Sequence, residues 1–583
     1  MKIKKTIAPV FLTNRNKWGK IRQWRMFNKD KTNLIFVLVI VLAVIVVMLP
    51  FREQTAGDDY TYALSVKHSV ESGRFQLSDA TAAALVFLVI WGGLFAKIFG
   101  FSLKTLHLSV VVFLPILTVA VYFLLRELKI EKTKSFFFTI LFISIPFIFQ
   151  YAYTFLTDLP FLTLEVLSMV FSIKAFRKNN LLNFFLGSLF SSLAFLTRQI
   201  GIFLWVSALV TFLVFLKSRD TRPSLYDSVK YLLSICAPAV ITIILYLLFF
   251  KEPTIGQAGF FQNVVLPNLS YLFFIHSSPT LTIGAWLGLY YRAIEWFWLA
   301  IGLFSPLAII LLASNAKEYL RAKLFRKVIL SLVIFTLLIF LESILFPGKV
   351  YLGFPLILYR YESLFPIPWP HIWKYLVLIS FLFLGTCVTV NIKTLKKVYR
   401  SIIINKIFFF LSLSYLLIIV STSLANLYYN KYVMSMLPFY LLLFASVVRK
   451  IKIYVPIAIF ITAFVFIDSL QMAKLRYDEN GLAQIKAIEI KDRGVAAERI
   501  LPNLEYTWSL WFDMDTKFAE ELKRVNGDKR KAKIPITPAN QDYIIISKEH
   551  LKYYKLPDKY IVLETIPIRS LFVSSYLIVL KKL

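Results

Sequence analysis

The chain has 583 residues, of which 58% are hydrophobic and 17% charged, and its mean hydropathy is +0.69. A soluble domain is about 45–50% apolar and about 25% charged, so this composition excludes a soluble enzyme and indicates a polytopic membrane protein. Lys and Arg number 66 against 33 Asp and Glu, a net charge of +33. Basic residues between membrane spans fix orientation, so this excess does not require nucleic acid as a partner.

The first apolar run, 33–50, follows a basic leader at 1–32 and is predicted to be an uncleaved span with the N-terminus in the cytoplasm. With it, the apolar runs predict about thirteen spans of near 20 residues each. The further runs are 107–125, 135–151, 159–173, 181–196, 200–216, 229–250, 292–313, 328–346, 372–391, 407–425, 433–448 and 453–470.

Within the segment 81–100, the apolar part Ala82–Ala96 is short and is closed by Lys97. If it crossed the membrane, the basic loop 126–134 would face outside. If it does not cross, that loop and the later basic loops all face the cytoplasm, as the positive-inside rule requires. The segment is therefore predicted to be an interfacial helix on the outer side.

This topology predicts a transmembrane domain over 33–470, with a first external loop at 51–106 and further external segments at 251–291 and 347–371. The tail 471–583 is rich in charge and contains strand-like runs at 543–546 and 560–563. It is predicted to be a small extracytoplasmic α/β domain, which fits the usual size range of domains.

Acidic residues are scarce, and three lie near the external ends of spans: Asp58, Asp59 and Asp158. Adjacent carboxylates repel each other, which favours a general base or attracts a divalent cation, although a solvated Asp-rich turn has the same sequence. Asp158 precedes Pro160 at the start of a span, so helix capping alone would also explain it.

Bases are few on the external face, and Arg198, Arg360 and Lys431 are among them. Arg198 follows Thr197 at the outer end of a span, where an arginine can simply extend toward the interface. Beside external carboxylates, the same cation could instead hold a phosphate group through charge-assisted hydrogen bonds.

The order of these motifs resembles a known family. The chain reads GDDYTYALSVKHSVESG, LFAKIFGFS, YFLLREL, FLTDLPF and LTRQ in succession over about residues 33–216, and Asn430-Lys431-Tyr432 with Leu437-Pro438-Phe439 follows later. Together they resemble the GT-C membrane glycosyltransferases, especially the protein mannosyltransferase and aminoarabinose transferase branch. Three departures stand out: Asp58-Asp59 replaces the family's Asp-Glu, Lys431 replaces an Arg, and 78–82 lacks the basic residue and two prolines.

The resemblance implies an enzyme that moves a sugar from a polyprenyl-phosphate carrier to a lipid, glycan or protein acceptor on the external face of the cell membrane. It implies Asp58 as general base, with Asp59 and Asp158 as further carboxylates of the catalytic site; Asp158 would orient the acceptor or share a metal with Asp58. Arg198, Arg360 and Lys431 would bind the donor phosphate. No cofactor is certain, but a divalent cation, if one is used, would bind Asp58 and Asp158.

Two alternatives stay open at this stage: a transporter or flippase of lipid-linked glycans, and a glycan ligase of another membrane fold. A transporter would use ionisable residues within its spans, for which Glu165, Glu342 and Asp468 are the candidates. A ligase would use a late basic external loop, as in 347–371. The five histidines, including His107, lack the spacing of metal ligands and are interpreted as structural or interfacial.

Overall fold

The structure is a computed structural model of the chain and is mostly helical. It describes residues 32–48, 58–78, 81, 83–216, 224–249, 254, 257, 304–314, 405–424, 430–447, 452–496, 499–502, 542–547, 551, 560–569 and 574–583. Several predictions fall outside these residues, including all but the last residue of the leader 1–32, the spans at 328–346 and 372–391, and Arg360.

The described helices, numbered in chain order, account for most of the apolar runs. They are α1 (Thr32–Val47), α2 (Asp59–Ser72), α3 (Val86–Phe99), α4 (Leu103–Val111), α5 (Phe113–Glu127), α6 (Lys132–Ile143), α7 (Pro146–Ala152), α8 (Asp158–Lys178), α9 (Leu181–Thr197), α10 (Ile202–Leu216), α11 (Leu225–Phe249), α12 (Ser305–Ser314), α13 (Lys406–Leu424), α14 (Leu437–Val447) and α15 (Val455–Asp492). Short 3-10 helices cover Gln199–Gly201 and Asn430–Met436.

Five helical segments within the described residues are long and apolar enough to cross a membrane: Leu103–Glu127, Asp158–Lys178, Gln199–Leu216, Leu225–Leu248 and Val455–Asp492. The predicted span at 135–151 is instead the pair α6 and α7, which meet at a 61° bend. Pro146 begins α7 and explains the break, because proline has no N–H to donate and its ring clashes with a continuing helix. The total of about thirteen spans stays a prediction.

The long helix α8 lies at the centre of the described bundle, between α5 and α9. Thr163 on α8 donates its hydroxyl to the carbonyl of Phe113 at 3.4 Å, and Ser168 donates to the carbonyl of Gly187 at 2.8 Å. A Cβ at Gly187 would lie 2.7 Å from the hydroxyl oxygen of Ser172, so only glycine allows this approach of α9. Small and hydroxylated residues are what membrane helices use to pack closely.

Helix α3 has 14 residues, so it is about 21 Å long, short of the roughly 30 Å hydrocarbon core. One side of it, including Leu88 and Ala96, is buried, whereas Ile90 and Ile98 are exposed. Its Trp91 ring donates from Nε1 to the carbonyl of Ser109 at 2.8 Å, which ties α3 to α4. The interfacial position of the segment 81–100 stays a prediction, with which this length is compatible.

The C-terminal part contains a four-stranded sheet in the order β1-β2-β4-β3, formed by β1 (Ile500–Pro502), β2 (Tyr543–Ser547), β3 (Tyr560–Arg569) and β4 (Ser574–Lys582). Strands β1 and β2 are parallel and the other two pairings are antiparallel. Both strand-like runs of the sequence are therefore strands. Leu475, Ala487 and Ile490 of α15 share a buried core with the sheet.

Helix α15 has 38 residues and continues from an apolar half into this core. The predicted domain boundary at 471 therefore falls inside one unbroken helix. The polar residues after 470 mark a change of surroundings along the helix and not its end, since Tyr477 still packs against Tyr153 with ring centroids 6.1 Å apart.

Candidate active site

Four chain segments meet near the ends of their helices that the sequence assigns to the outer side. They are the start of α2, the second turn of α4, the turn before α8 and the end of α9. A Cβ placed on Gly92 of α3 would lie 2.6 Å from Phe155, in the turn before α8, and 3.2 Å from Leu106 of α4. The N–H of Leu85, before α3, donates to the carbonyl of Thr197 at 3.4 Å. Helix α3 thus connects α4, the turn before α8 and the end of α9, and the start of α2 faces α4 through Asp59 and His107.

The two adjacent aspartates at the start of α2 have different surroundings. Asp58 is the N-cap residue and is half-buried; its carbonyl accepts from the N–H of Thr61 at 3.1 Å and from the Thr61 hydroxyl at 2.9 Å. Asp59 is the first helical residue and is fully buried. Of the two, Asp58 is therefore the one that a soluble or lipid-borne group can approach.

The buried Asp59 faces a histidine of α4. The Oδ2 atom of Asp59 lies 3.9 Å from Nε2 of His107, and both side chains are 0% exposed. His107 was interpreted from sequence as structural or interfacial, and it is placed here in the core, beside an acid of the predicted site. Nothing in the spacing of the sequence indicates this pairing.

Asp158 and Arg198 form a buried ion pair, with Oδ1 and Nη2 2.8 Å apart and side chains 0% and 9% exposed. The contact joins a carboxylate and a guanidinium of opposite charge. Nε of Arg198 donates to the hydroxyl of Thr157 at 2.7 Å, and the guanidinium lies 5.9 Å from the centre of the Phe161 ring. One cation is thus held by a carboxylate, a hydroxyl and an aromatic ring.

The structure differs from the ordinary explanation that the sequence offered for each of these two residues. Asp158 is the first residue of α8 and not its N-cap, which is Thr157. The side chain of Arg198 does not extend to the interface, because it is buried. The backbone N–H of Arg198 donates to the carbonyl of Ala194 at 2.8 Å and so ends α9. Removing one member of such a pair typically costs about 3–5 kcal/mol, because it leaves the other charge buried and uncompensated.

A third acid lies farther along α8. Glu165 is about two helical turns from Asp158 and on the same face of the helix, and its side chain is fully buried. Neither of its oxygens makes a hydrogen bond within the described part of the chain, although the charge of Arg198 acts on it. Ionisable residues in such positions are costly and are usually functional.

The structure does not bring every predicted residue to this site. Arg360 lies outside the described residues. Lys431 is in the 3-10 helix Asn430–Met436, which packs against α8, but its side chain is not described. Their roles as phosphate ligands stay predictions.

The described residues contain no group of three His, Cys, Asp or Glu that could hold a metal ion. Asp158, one of the two predicted ligands, is already neutralised by Arg198. A divalent cation there would have to displace the guanidinium, so the donor set is a poor fit, and the mechanism below uses no metal.

Residues 82–250 match the family model described as dolichyl-phosphate-mannose-protein mannosyltransferase. This segment covers α3 to α11 and includes His107, Asp158 and Arg198. The match confirms the resemblance to GT-C membrane glycosyltransferases that the motifs indicated. No curated protein sequence matches the chain.

Among solved structures, the chain is similar to ArnT from Cupriavidus metallidurans bound to undecaprenyl phosphate, at 13% identity and a TM-score of 0.36, over 93% of this chain and 97% of that chain. It is also similar to the archaeal oligosaccharyltransferase AglB from Archaeoglobus fulgidus, in complex with an inhibitory peptide and a dolichol-phosphate, at 11% identity and a TM-score of 0.38, over 91% of this chain and 71% of that chain. At these scores the structural similarities carry no argument, and the resemblance rests on the family model and the motifs.

Proposed function

We propose that the protein is a glycosyltransferase that moves a sugar from a polyprenyl-phosphate carrier to an acceptor on the external face of the cell membrane. The family-model match over 82–250 supports a glycosyltransferase. The observation that carries the proposal is the buried cluster of Thr157, Asp158 and Arg198, which holds a guanidinium in one orientation for an anionic group. The half-buried Asp58 at the start of α2 supplies the base.

In the proposed reaction, Asp58 accepts the proton of an acceptor hydroxyl. The hydroxyl oxygen then attacks the anomeric carbon of the sugar. The bond between that carbon and the phosphate oxygen breaks, and the bonding electrons leave with the polyprenyl phosphate. A positioned base contributes typically 10²–10⁴-fold to such a step.

Arg198 would stabilise the negative charge that develops on the leaving phosphate. Asp158 and Thr157 act through it, because they hold the guanidinium in one orientation before the donor arrives. A preorganised cation does not need to reorient during the reaction, which is why such groups stabilise a transition state more effectively than water does.

The experiment incubates the purified protein in lipid vesicles with radiolabelled polyprenyl-phosphate sugars and lipid, glycan and peptide acceptors. We expect label to leave the carrier and appear on one acceptor class. Asp58→Asn protein is the matched control and should transfer little. Failure of every donor to release label, with correctly folded protein, would refute the proposal.

The transporter alternative is supported by one observation, the fully buried Glu165 inside a span. A transporter would carry labelled lipid-linked sugar across the vesicle membrane without releasing the label, and Glu165→Gln would stop that movement. The same vesicles test both functions, because label on the carrier and label on an acceptor are separated by extraction.

A further inference from the structure

The second turn of α4 carries a histidine that the proposed mechanism does not use. His107 is fully buried, and neither of its ring nitrogens makes a hydrogen bond to any residue that the structure describes. Burying a polar group without a hydrogen bond costs free energy. A histidine kept in this position therefore needs a partner.

The side chain of His107 faces Asp59, whose Oδ2 lies 3.9 Å from Nε2. A charge-assisted N–H···O hydrogen bond typically spans 2.7–2.9 Å, about 1 Å less than this separation. Such a bond would be shielded from water, because both side chains are 0% exposed. Shielding strengthens the electrostatic attraction between the two groups.

The position of Asp59 makes this contact relevant to the proposed base. Asp59 begins α2, and Asp58 directly precedes it as the N-cap residue. A contact that holds Asp59 against α4 therefore also fixes the first turn of α2 and the direction of the Asp58 side chain. Thr61, which donates to the carbonyl of Asp58, ties the same turn from within α2.

We propose that His107 is a positioning residue of the active site, which anchors Asp59 through Nε2–H and thereby orients the Asp58 carboxylate toward the acceptor hydroxyl. The inference rests on the proposed function and adds to it a residue on α4 that the motifs did not indicate. His107 does not touch the reacting atoms; it acts through Asp59.

The test compares His107→Phe, His107→Gln, Asp59→Asn and the double variant His107→Phe/Asp59→Asn, with His68→Phe on α2 as the matched histidine control. We measure kcat at saturating donor and acceptor, the KM for donor, and the melting temperature. His107→Phe should lower kcat at least tenfold with the donor KM changed less than about twofold, because the donor phosphate binds elsewhere. His107→Gln, whose amide can still donate, should recover part of the loss.

The double variant should lose no more kcat than the more impaired single variant, since both changes remove one interaction. The proposal would be overturned if the double variant lost kcat by the product of the two single losses. A folded His107→Phe protein with wild-type kcat would overturn it as well. A purely structural histidine predicts a lower melting temperature with unchanged kcat for the folded fraction.

A wild-type protein that transfers no sugar would refute the proposed function and the positioning role together. Normal wild-type transfer with independent effects of His107 and Asp59 on both kcat and melting temperature would overturn only the positioning role. The two failures are therefore distinguishable.

Discussion

Two adjacent glycines of α3 should respond in opposite ways to alanine. A Cβ at position 92 would lie 2.6 Å and 2.9 Å from Cζ and Cε2 of Phe155, whereas at position 93 the nearest atom is Cγ2 of Val70, at 4.0 Å. Non-bonded carbons are optimally about 3.5–4.0 Å apart, so only Gly92→Ala forces atoms to overlap. Phe155 is fully buried and has little room to move aside.

The two contributions to stability can be compared in size. Replacing a helical glycine by alanine gains about 0.5–1 kcal/mol from backbone entropy. Overpacking a filled core costs about 1–3 kcal/mol. Gly92→Ala should therefore be destabilising, by up to about 2.5 kcal/mol, and Gly93→Ala should be neutral or stabilising.

The assay is the melting temperature of each variant in the same detergent, followed by sugar transfer in vesicles. Phe155 stands two residues before Thr157, so a displaced ring would also shift the Thr157 hydroxyl, which accepts a hydrogen bond from Arg198. Gly92→Ala should lower both melting temperature and transfer, and Gly93→Ala neither. Equal melting temperatures for the two variants would show that α3 does not pack on this turn as described.

Three further outcomes are expected. Asp58→Asn should reduce transfer by about two orders of magnitude or more while the protein stays folded, because the amide cannot accept the proton; wild-type turnover would remove Asp58 as the base. Arg198→Lys should keep partial activity, and Arg198→Ala should be strongly destabilised because it leaves Asp158 buried without its partner. The double variant Asp158→Asn/Arg198→Ala should regain stability without regaining turnover. Recovered turnover in the double variant would mean that the cation is not needed. In a protein with both native cysteines replaced, a cysteine introduced at the exposed Arg74 should react with an impermeant thiol reagent added outside, and one at the exposed Lys178 should not. The reverse pattern would invert the proposed orientation.

The apolar runs predicted several helices of the bundle from sequence alone, including α8, α10 and α11. Hydrophobic length is a local property, because the lipid acts on each helix separately and every backbone group in a span must be paired within it. The break between α6 and α7 was missed, although Pro146 marks it in the sequence. The two strand-like runs in the tail were recognisable for the same local reason, since β-branched and aromatic residues favour extended structure.

The sequence also identified Asp58, Asp59, Asp158 and Arg198 as candidates, but it could not say how they combine. Asp158 and Arg198 each had an ordinary explanation, as a cap and as an interfacial arginine, and only the packing of α8 against α9 makes them an ion pair. Adjacent residues have nearly the same sequence context, so the burial of Asp59 and the accessibility of Asp58 followed only from how α2 packs.

His107 shows the limit most clearly, because it precedes and follows apolar residues and has no motif around it. Its distance from Asp59 depends on how helices separated by a long stretch of chain are arranged in space. Composition and periodicity therefore determined that the chain is a membrane protein and where many helices lie. Which polar side chains meet inside it was decided by tertiary packing, since a buried charge is stable only beside a partner that another helix supplies.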